Sequence, residues 1–190
     1  KELRIYTKKG SVRTVIISIE PIEFVDQSCW VIAAMDITER KQLQNQIATE
    51  VELAGVIQSA MLPGDFACEL SEIRTIYQPI HGVSGDFFAY RITPDQGRLQ
   101  GYVLDVTGHG MAAALQTTAI SVLLDRLLAG NRDLSIDMLE QLNQESIPYF
   151  FEGSYAAIIL FDFDFVHGFL RCASGGINRY LVQTRDFTGQ

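Results

Sequence analysis

Two aspartates have the surroundings most suggestive of chemistry. Asp86 lies in Val83-Ser-Gly-Asp-Phe-Phe88 and Asp105 in Leu104-Asp-Val-Thr-Gly-His-Gly110, 19 positions further on. The segment Thr93-Pro-Asp-Gln-Gly97 falls almost midway between them and reads as a turn. If the flanking strands pair across that turn, both carboxylates emerge at the same end. Carboxylates so placed repel each other unless a positive charge lies between them. A hard divalent cation, Mg²⁺ or Mn²⁺, suits them, because it takes oxygen ligands and keeps several waters. The alternative for either aspartate is a turn or cap residue.

The glycines beside Asp105 point the same way. Gly108 and Gly110 stand directly before Met111-Ala-Ala-Ala-Leu115, a helix-forming run. Glycine at a helix start lets an anion approach the unpaired N–H groups there. A dication next to such a helix start is suited to phosphate-ester hydrolysis. The Gly-x-Gly pair has neither the lysine of a P-loop nor the spacing of a dinucleotide fingerprint.

Other reactive residues read more simply. His109 is expected to be a hydrogen-bonded loop residue, and His81 and His167 surface residues. Asp162 and Asp164 alternate with aromatics in Phe161-Asp-Phe-Asp-Phe165, which suggests the solvated face of a hairpin. Met111, Met138, Phe150 and Phe151 read as core. Ser84 and Ser174 lack the His/Asp company of a nucleophile. Cys29, Cys68 and Cys172 form neither a disulfide framework nor a zinc pattern, and a reducing cytoplasm is the expected location.

The elements that must position these residues follow from periodicity. Leu3–Thr7, Val12–Ile19 and Cys29–Met35 read as antiparallel strands that need a covering partner. Asp36-Ile-Thr-Glu39 resembles a capping box. A long helix is predicted from about Thr38 to Leu62, ended by Pro63-Gly64. Leu43, Ile47, Val51, Ala54, Ile57 and Met61 form its apolar stripe, flanked by Lys41, Glu50 and Gln58. That stripe suits packing on its own domain or a parallel two-helix coil between protomers. In the second reading Ile57, Met61 and Leu62 carry a signal into the following domain.

Beyond it, strands are predicted at Ile73–Gln78, Gly85–Ile92, Leu99–Leu104, Tyr155–Phe161, Phe169–Ala173 and residues 180–183. Helices are predicted at Met111–Leu128, ended by residues 130–131, and at Ser135–Ser146 with Ser135 as N-cap. The fold class is α+β.

The chain has 190 residues and a formal net charge of −8. That charge argues against a nucleic-acid footprint, which needs a basic stripe. No apolar run is expected to reach the roughly 20 residues of a membrane span. The chain begins with Lys1 and reads as a piece of a longer protein.

These motifs resemble a family. Ser84-Gly-Asp-Phe-Phe88 and Leu104-Asp-Val-Thr-Gly-His-Gly-Met-Ala-Ala-Ala-Leu115 are similar to the leading motifs of SpoIIE/RsbU-type serine/threonine phosphatases, within the metal-dependent protein phosphatase 2C (PPM) superfamily. Glu52-Leu-Ala-Gly-Val-Ile-Gln58, Met61-Leu-Pro63 and Arg171-Cys-Ala-Ser-Gly-Gly-Ile-Asn178 extend the likeness over about residues 50–185. Residues 1–40, with Met35-Asp-Ile-Thr-Glu-Arg-Lys41, resemble the last strands and exit of a PAS sensor domain.

The resemblance implies a β-sandwich flanked by helices. It implies three parts: residues 1–36 from a PAS domain, 37–63 as a helical linker, and 64–190 as the N-terminal part of a phosphatase. It implies two Mn²⁺ or Mg²⁺ ions in a complete domain. Asp86 would be one ligand, Asp105 would bridge the ions, and the Val106 carbonyl would add a further ligand. The expected substrate is a phosphorylated STAS-type protein, and the expected assembly a homodimer through the linker.

Three departures stand out. Ala89 replaces a frequent second aspartate, Ala173-Ser-Gly-Gly176 lacks the family's histidine, and the distal metal motifs would lie past Gln190. Low activity of this chain is the corresponding expectation, and a catalytically weak or inactive phosphatase-fold module acting as a phosphoprotein-binding or dimerising signal relay is the alternative.

Overall fold

A computed structural model describes residues 1–69, 71–80, 82–93, 97–130 and 134–181. The chain divides into two compact units, Lys1–Glu50 and Val51–Gln190.

The first unit is a three-stranded antiparallel sheet, β1 (Glu2–Tyr6), β2 (Val12–Phe24) and β3 (Gln27–Asp36), in the order β1-β2-β3. β2 runs five residues past its expected end at Ile19, through Pro21. Proline is tolerated there because β1 pairs only with Val12–Ile16, leaving that flank of β2 unpaired. Val25 and Asp26 close the β2–β3 hairpin, with φ of 51° and 58°. Two left-handed residues in a two-residue loop match the twist of the strands they join.

Helix α1 (Thr38–Met61) follows. Its entry is capped by Asp36, whose Oδ1 accepts from the Thr38 N–H at 2.9 Å and the Thr38 hydroxyl at 2.6 Å. The Ile37 carbonyl accepts the first helical bond, from the Lys41 N–H.

The second unit is built on a four-stranded antiparallel sheet in the order β6-β7-β8-β9. Its strands are β6 (Asp86–Ile92), β7 (Arg98–Val106), β8 (Ala156–Asp164) and β9 (Phe169–Gly175). A small pair, β4 (Phe66–Ala67) with β5 (Glu72–Ile73), precedes it. The expected strand over Ile73–Gln78 reduces to those two residues of β5; residues 74–80 have no regular structure. Tyr180 and Leu181 are not in a strand either. The rest of that predicted strand, the 94–96 part of the turn and the helix end at Asn131 lie outside the described residues.

Alternation divides the sheet into two faces. Phe87, Tyr102, Leu104, Val106, Ile158 and Leu160 share one face and pack with α2 (Met111–Gly130) and α3 (Ile136–Ser146). Leu104 and Leu124 are fully buried there. Each such side chain contributes about 1.5–3 kcal/mol relative to exposure. Asp86, Phe88, Val103, Asp105 and Phe161 belong to the opposite face, since Asp86 pairs with Asp105 and Phe88 with Val103.

The α+β class is observed, with helices packed on an antiparallel sheet. Met111–Ala129 is long and apolar enough to cross a membrane, contrary to the expectation that no such run exists. More than half of it is buried within the fold, as in the core helix of a globular domain.

Two further expectations are corrected. Asp162 is not on a solvated face. It is fully buried on the helix side of the sheet, ion-paired with Arg98 and accepting from Gln100 Nε2 at 3.3 Å. Asp164 caps the turn before β9 by accepting from the His167 N–H at 2.8 Å. On α1, Ile57 is exposed and Met61 largely so, while Gly55 and Gln58 are the buried residues. Of the expected end of the apolar stripe, Leu62 packs against the core.

Candidate metal centre

The carboxylate pair arises from strand register. Asp86 opens β6, Asp105 stands one residue from the end of β7, and the two are direct cross-strand partners. Opposed residues of an antiparallel pair project from the same face with Cβ atoms about 4.5–5.5 Å apart. Like charges so placed are destabilising.

Three contacts fix the strand ends. The Val106 N–H donates to the Gly85 carbonyl at 3.0 Å, and the Thr117 hydroxyl of α2 donates to the same oxygen at 2.8 Å. A Cβ at Gly85 would lie 2.4 Å from the Val106 carbonyl oxygen, so only glycine permits this approach. Beyond Asp105, the Thr107 hydroxyl and N–H donate to the Tyr155 carbonyl, and the Tyr155 N–H donates back to Thr107 Oγ1 at 2.9 Å. The loop is thus tied to the start of β8.

Gly108 and Gly110 have φ of +101° and +78°, the left-handed region that favours glycine. They turn the chain into α2, where the Gly110 carbonyl accepts from the Ala114 N–H.

The two carboxylates are electrostatically exposed to one another. Among the described residues neither has an ion-pair partner. Among the described residues, the Asp86 carboxylate accepts from the neighbouring Ser84 hydroxyl, at 3.1 Å to its Oδ2. Desolvation at the strand end, and next the charge of Asp86, push the Asp105 carboxyl above its ordinary range. Desolvation and the same Asp86 charge also raise the Tyr77 hydroxyl.

The pair opens into a cleft of about 340 Å³, bordered by Gln78, Ile80, Ser84, Gly108 and His109. A larger cleft of about 550 Å³ lies between α3 and the sheet, but its lining is mainly apolar, with Leu142, Phe150 and Ile158. Size therefore does not mark the chemistry; the opposed carboxylates do.

These donors fit a hard cation as part of a coordination shell. They are oxygen ligands, both anionic when ionised, without a competing lysine or arginine among the described residues. Among those residues no group of three or more His, Cys, Asp or Glu side chains converges. Of the residues singled out in the sequence, Asp86, Asp105, Gly108 and His109 come together around the cleft, and Val106 lies beside it against Gly85. His167 and Ser174 do not join them: His167 sits in the turn before β9, and the Ser174 hydroxyl bonds the Ile158 and Ile177 carbonyls. His81 lies outside the described residues.

Sequence reasoning assigned Gln58 to the flank of a coil. Here it is 3% exposed and bonded to Ser84, next to the cleft. Gly55, three positions earlier on the same helical face, was the available signal for a close contact.

No curated protein matches the chain. Residues 95–188, a span holding Asp105, Val106 and the Gly108–Gly110 loop but beginning after Asp86, match the family model described as Stage II sporulation protein E (SpoIIE), which supports a protein phosphatase 2C-like domain in this part of the chain.

Proposed function

We propose that the protein is a metal-dependent serine/threonine phosphoprotein phosphatase of the PPM type. The observation that carries this reading is the direct pairing of Asp86 with Asp105, with no cationic partner among the described residues, beside a glycine-flanked helix start. Asp86, Asp105 and the Val106 carbonyl would hold Mn²⁺ or Mg²⁺. Such an ion supplies a bound water of lowered pKa and polarises the phosphoryl group. The chain's own part is to fix the carboxylates by strand register, to keep the strand ends close through Gly85, and to offer the α2 N-terminus to an anion.

The substrate class is a phosphoserine or phosphothreonine protein, with a STAS-type protein as the proposed partner in the cytoplasm. Residues 1–36 are proposed to derive from a PAS sensor domain that acts on the phosphatase through α1. Leu43 and Ile47 are exposed on α1, which supports a homodimer through this helix. Ile47→Glu is expected to convert that dimer to monomer in light scattering; a dimer that persists rejects the helix as the interface.

The test of the activity is Mn²⁺-dependent hydrolysis of an aryl phosphate, run beside Asp105→Asn. Activity needing both Mn²⁺ and Asp105 is the expected result. A second reading, a phosphoprotein-binding module without turnover, is favoured by the lack of a third acidic or histidine ligand among the described residues. It predicts phosphoprotein binding indifferent to Mn²⁺ and to Asp105→Asn.

A further inference from the structure

Gln58 is an amide side chain buried where α1 meets the start of β6. Its Nε2 donates to the Ser84 carbonyl at 2.8 Å, and its Oε1 accepts from the Ser84 N–H at 3.0 Å. Oε1 also accepts from the Tyr77 hydroxyl at 3.0 Å. Both lone pairs of the amide oxygen are therefore engaged. Gln58 treats Ser84 as a neighbouring strand would, by bonding both of its backbone groups.

Ser84 passes that constraint to the carboxylate. Its hydroxyl donates to Asp86 Oδ2 and accepts from the Asp86 N–H, each at 3.1 Å. Asp86 is the first residue of its strand, so the preceding segment decides how the carboxylate meets Asp105. One helical turn before Gln58, Gly55 rests on the same segment. A Cβ at Gly55 would lie 2.0 Å from the Gly82 carbonyl oxygen. Two residues on one face of α1 thus grip residues 82–84 directly on the backbone.

We infer that Gln58 is a positioning residue that lets the last turns of α1 set the place of Asp86 opposite Asp105. This deepens the phosphatase reading and rests on it for its consequence. A shift of α1 breaks the Gln58–Ser84 pair and releases Asp86 from register with its partner. Outer-shell contacts that orient metal ligands are commonly worth about 10–100-fold in metal affinity.

The experiment uses the full chain with two readouts: amide hydrogen exchange over residues 82–87, and Mn²⁺ affinity by calorimetry. Gln58→Met is close in volume but cannot make the paired bonds. It is expected to speed exchange at Ser84 and Asp86 by about 10-fold and to weaken Mn²⁺ binding by about 10–100-fold. Gln58→Glu keeps the acceptor for the Ser84 N–H and is expected to fall between wild type and Gln58→Met, which also serves if the methionine variant does not fold. Ser84→Ala removes only the second link: exchange at the Ser84 N–H stays slow while Mn²⁺ binding weakens. Leu142→Ala, a core truncation within α3, controls for general destabilisation and is expected to leave both readouts within about two-fold.

The inference is overturned if Gln58→Met changes residues 82–87 no more than Leu142→Ala does, or if Mn²⁺ affinity is unaltered while exchange rises. A wild-type chain that binds no Mn²⁺ rejects Asp86 and Asp105 as a metal site in this chain. The exchange comparison then still decides whether Gln58 holds the Asp86 segment.

Discussion

Asp162 and the Asp86–Asp105 pair stand on one sheet, joined by β7, yet their charges are handled in opposite ways. At the start of β7, Arg98 meets Asp162, and Gln100 adds a further hydrogen bond, so a fully buried carboxylate is compensated within the protein. Near the end of β7, on the other face, two carboxylates oppose each other with no described cation nearby. A buried charge tolerates no such neglect, because its desolvation would cost several kcal/mol. An open pair at a strand end can remain bare, at the cost of mutual repulsion, and leaves room for a cation from outside. The difference separates a carboxylate that serves the fold from a pair available to a ligand.

The largest expected effect breaks the compensated side. Arg98→Ala leaves Asp162 buried without its cation and should cost about 3–5 kcal/mol in denaturant unfolding. A loss below about 1 kcal/mol would mean that Asp162 rehydrates, and the contrast would fail.

The next effect comes from the bare side. Mn²⁺ at about 100 times its Kd should stabilise the wild type by about 2.7 kcal/mol and Asp105→Asn by almost nothing. Equal metal stabilisation of both proteins would place the ion elsewhere. Smaller again is the geometric control. Gly85→Ala puts a methyl group against the Val106 carbonyl, and overpacking of this kind costs about 1–3 kcal/mol. It should also weaken Mn²⁺ binding, although neither carboxylate is touched; calorimetry of the same variant checks this.

The smallest effect concerns a third arrangement, in which hydrogen bonds stabilise an exposed carboxylate. The Thr38 hydroxyl first, then the Thr38 N–H and the charge of Arg13, hold Asp36 below its ordinary value of 3.8. A lowered folded-state pKa contributes stability above the unfolded value that is lost as pH falls through the folded one. Wild type should therefore hold a slight advantage over Asp36→Asn at neutral pH that disappears as pH drops below 3.8. Acid unfolding curves that stay parallel would show that the cap does not favour the charged form.

The hairpin that unites Asp86 and Asp105 was legible because antiparallel pairing across a central turn relates distant positions by simple symmetry. The α2 helix was legible from its composition and its glycine-bounded start. Asp162 was misread for a specific reason. Alternating Asp and Phe states that two faces exist but not which one is buried, and here the aspartates lie on the helix side. Arg98, which decides the matter, is 64 positions away. Gln58 was read only as a residue flanking the apolar stripe, because its partner Ser84 lies 26 positions away and the bonds between them are invisible in a helical pattern.

By itself the sequence determined the local elements and the coincidence of two aspartates at one hairpin end, since periodicity and turn chemistry act over a few residues. Tertiary structure alone decided which polar residues are enclosed: Asp162 by Arg98, and Gln58 by Ser84 and Tyr77. The physical reason is that a polar group can be buried only with its partners supplied, and those partners come from segments that meet only when the chain has folded.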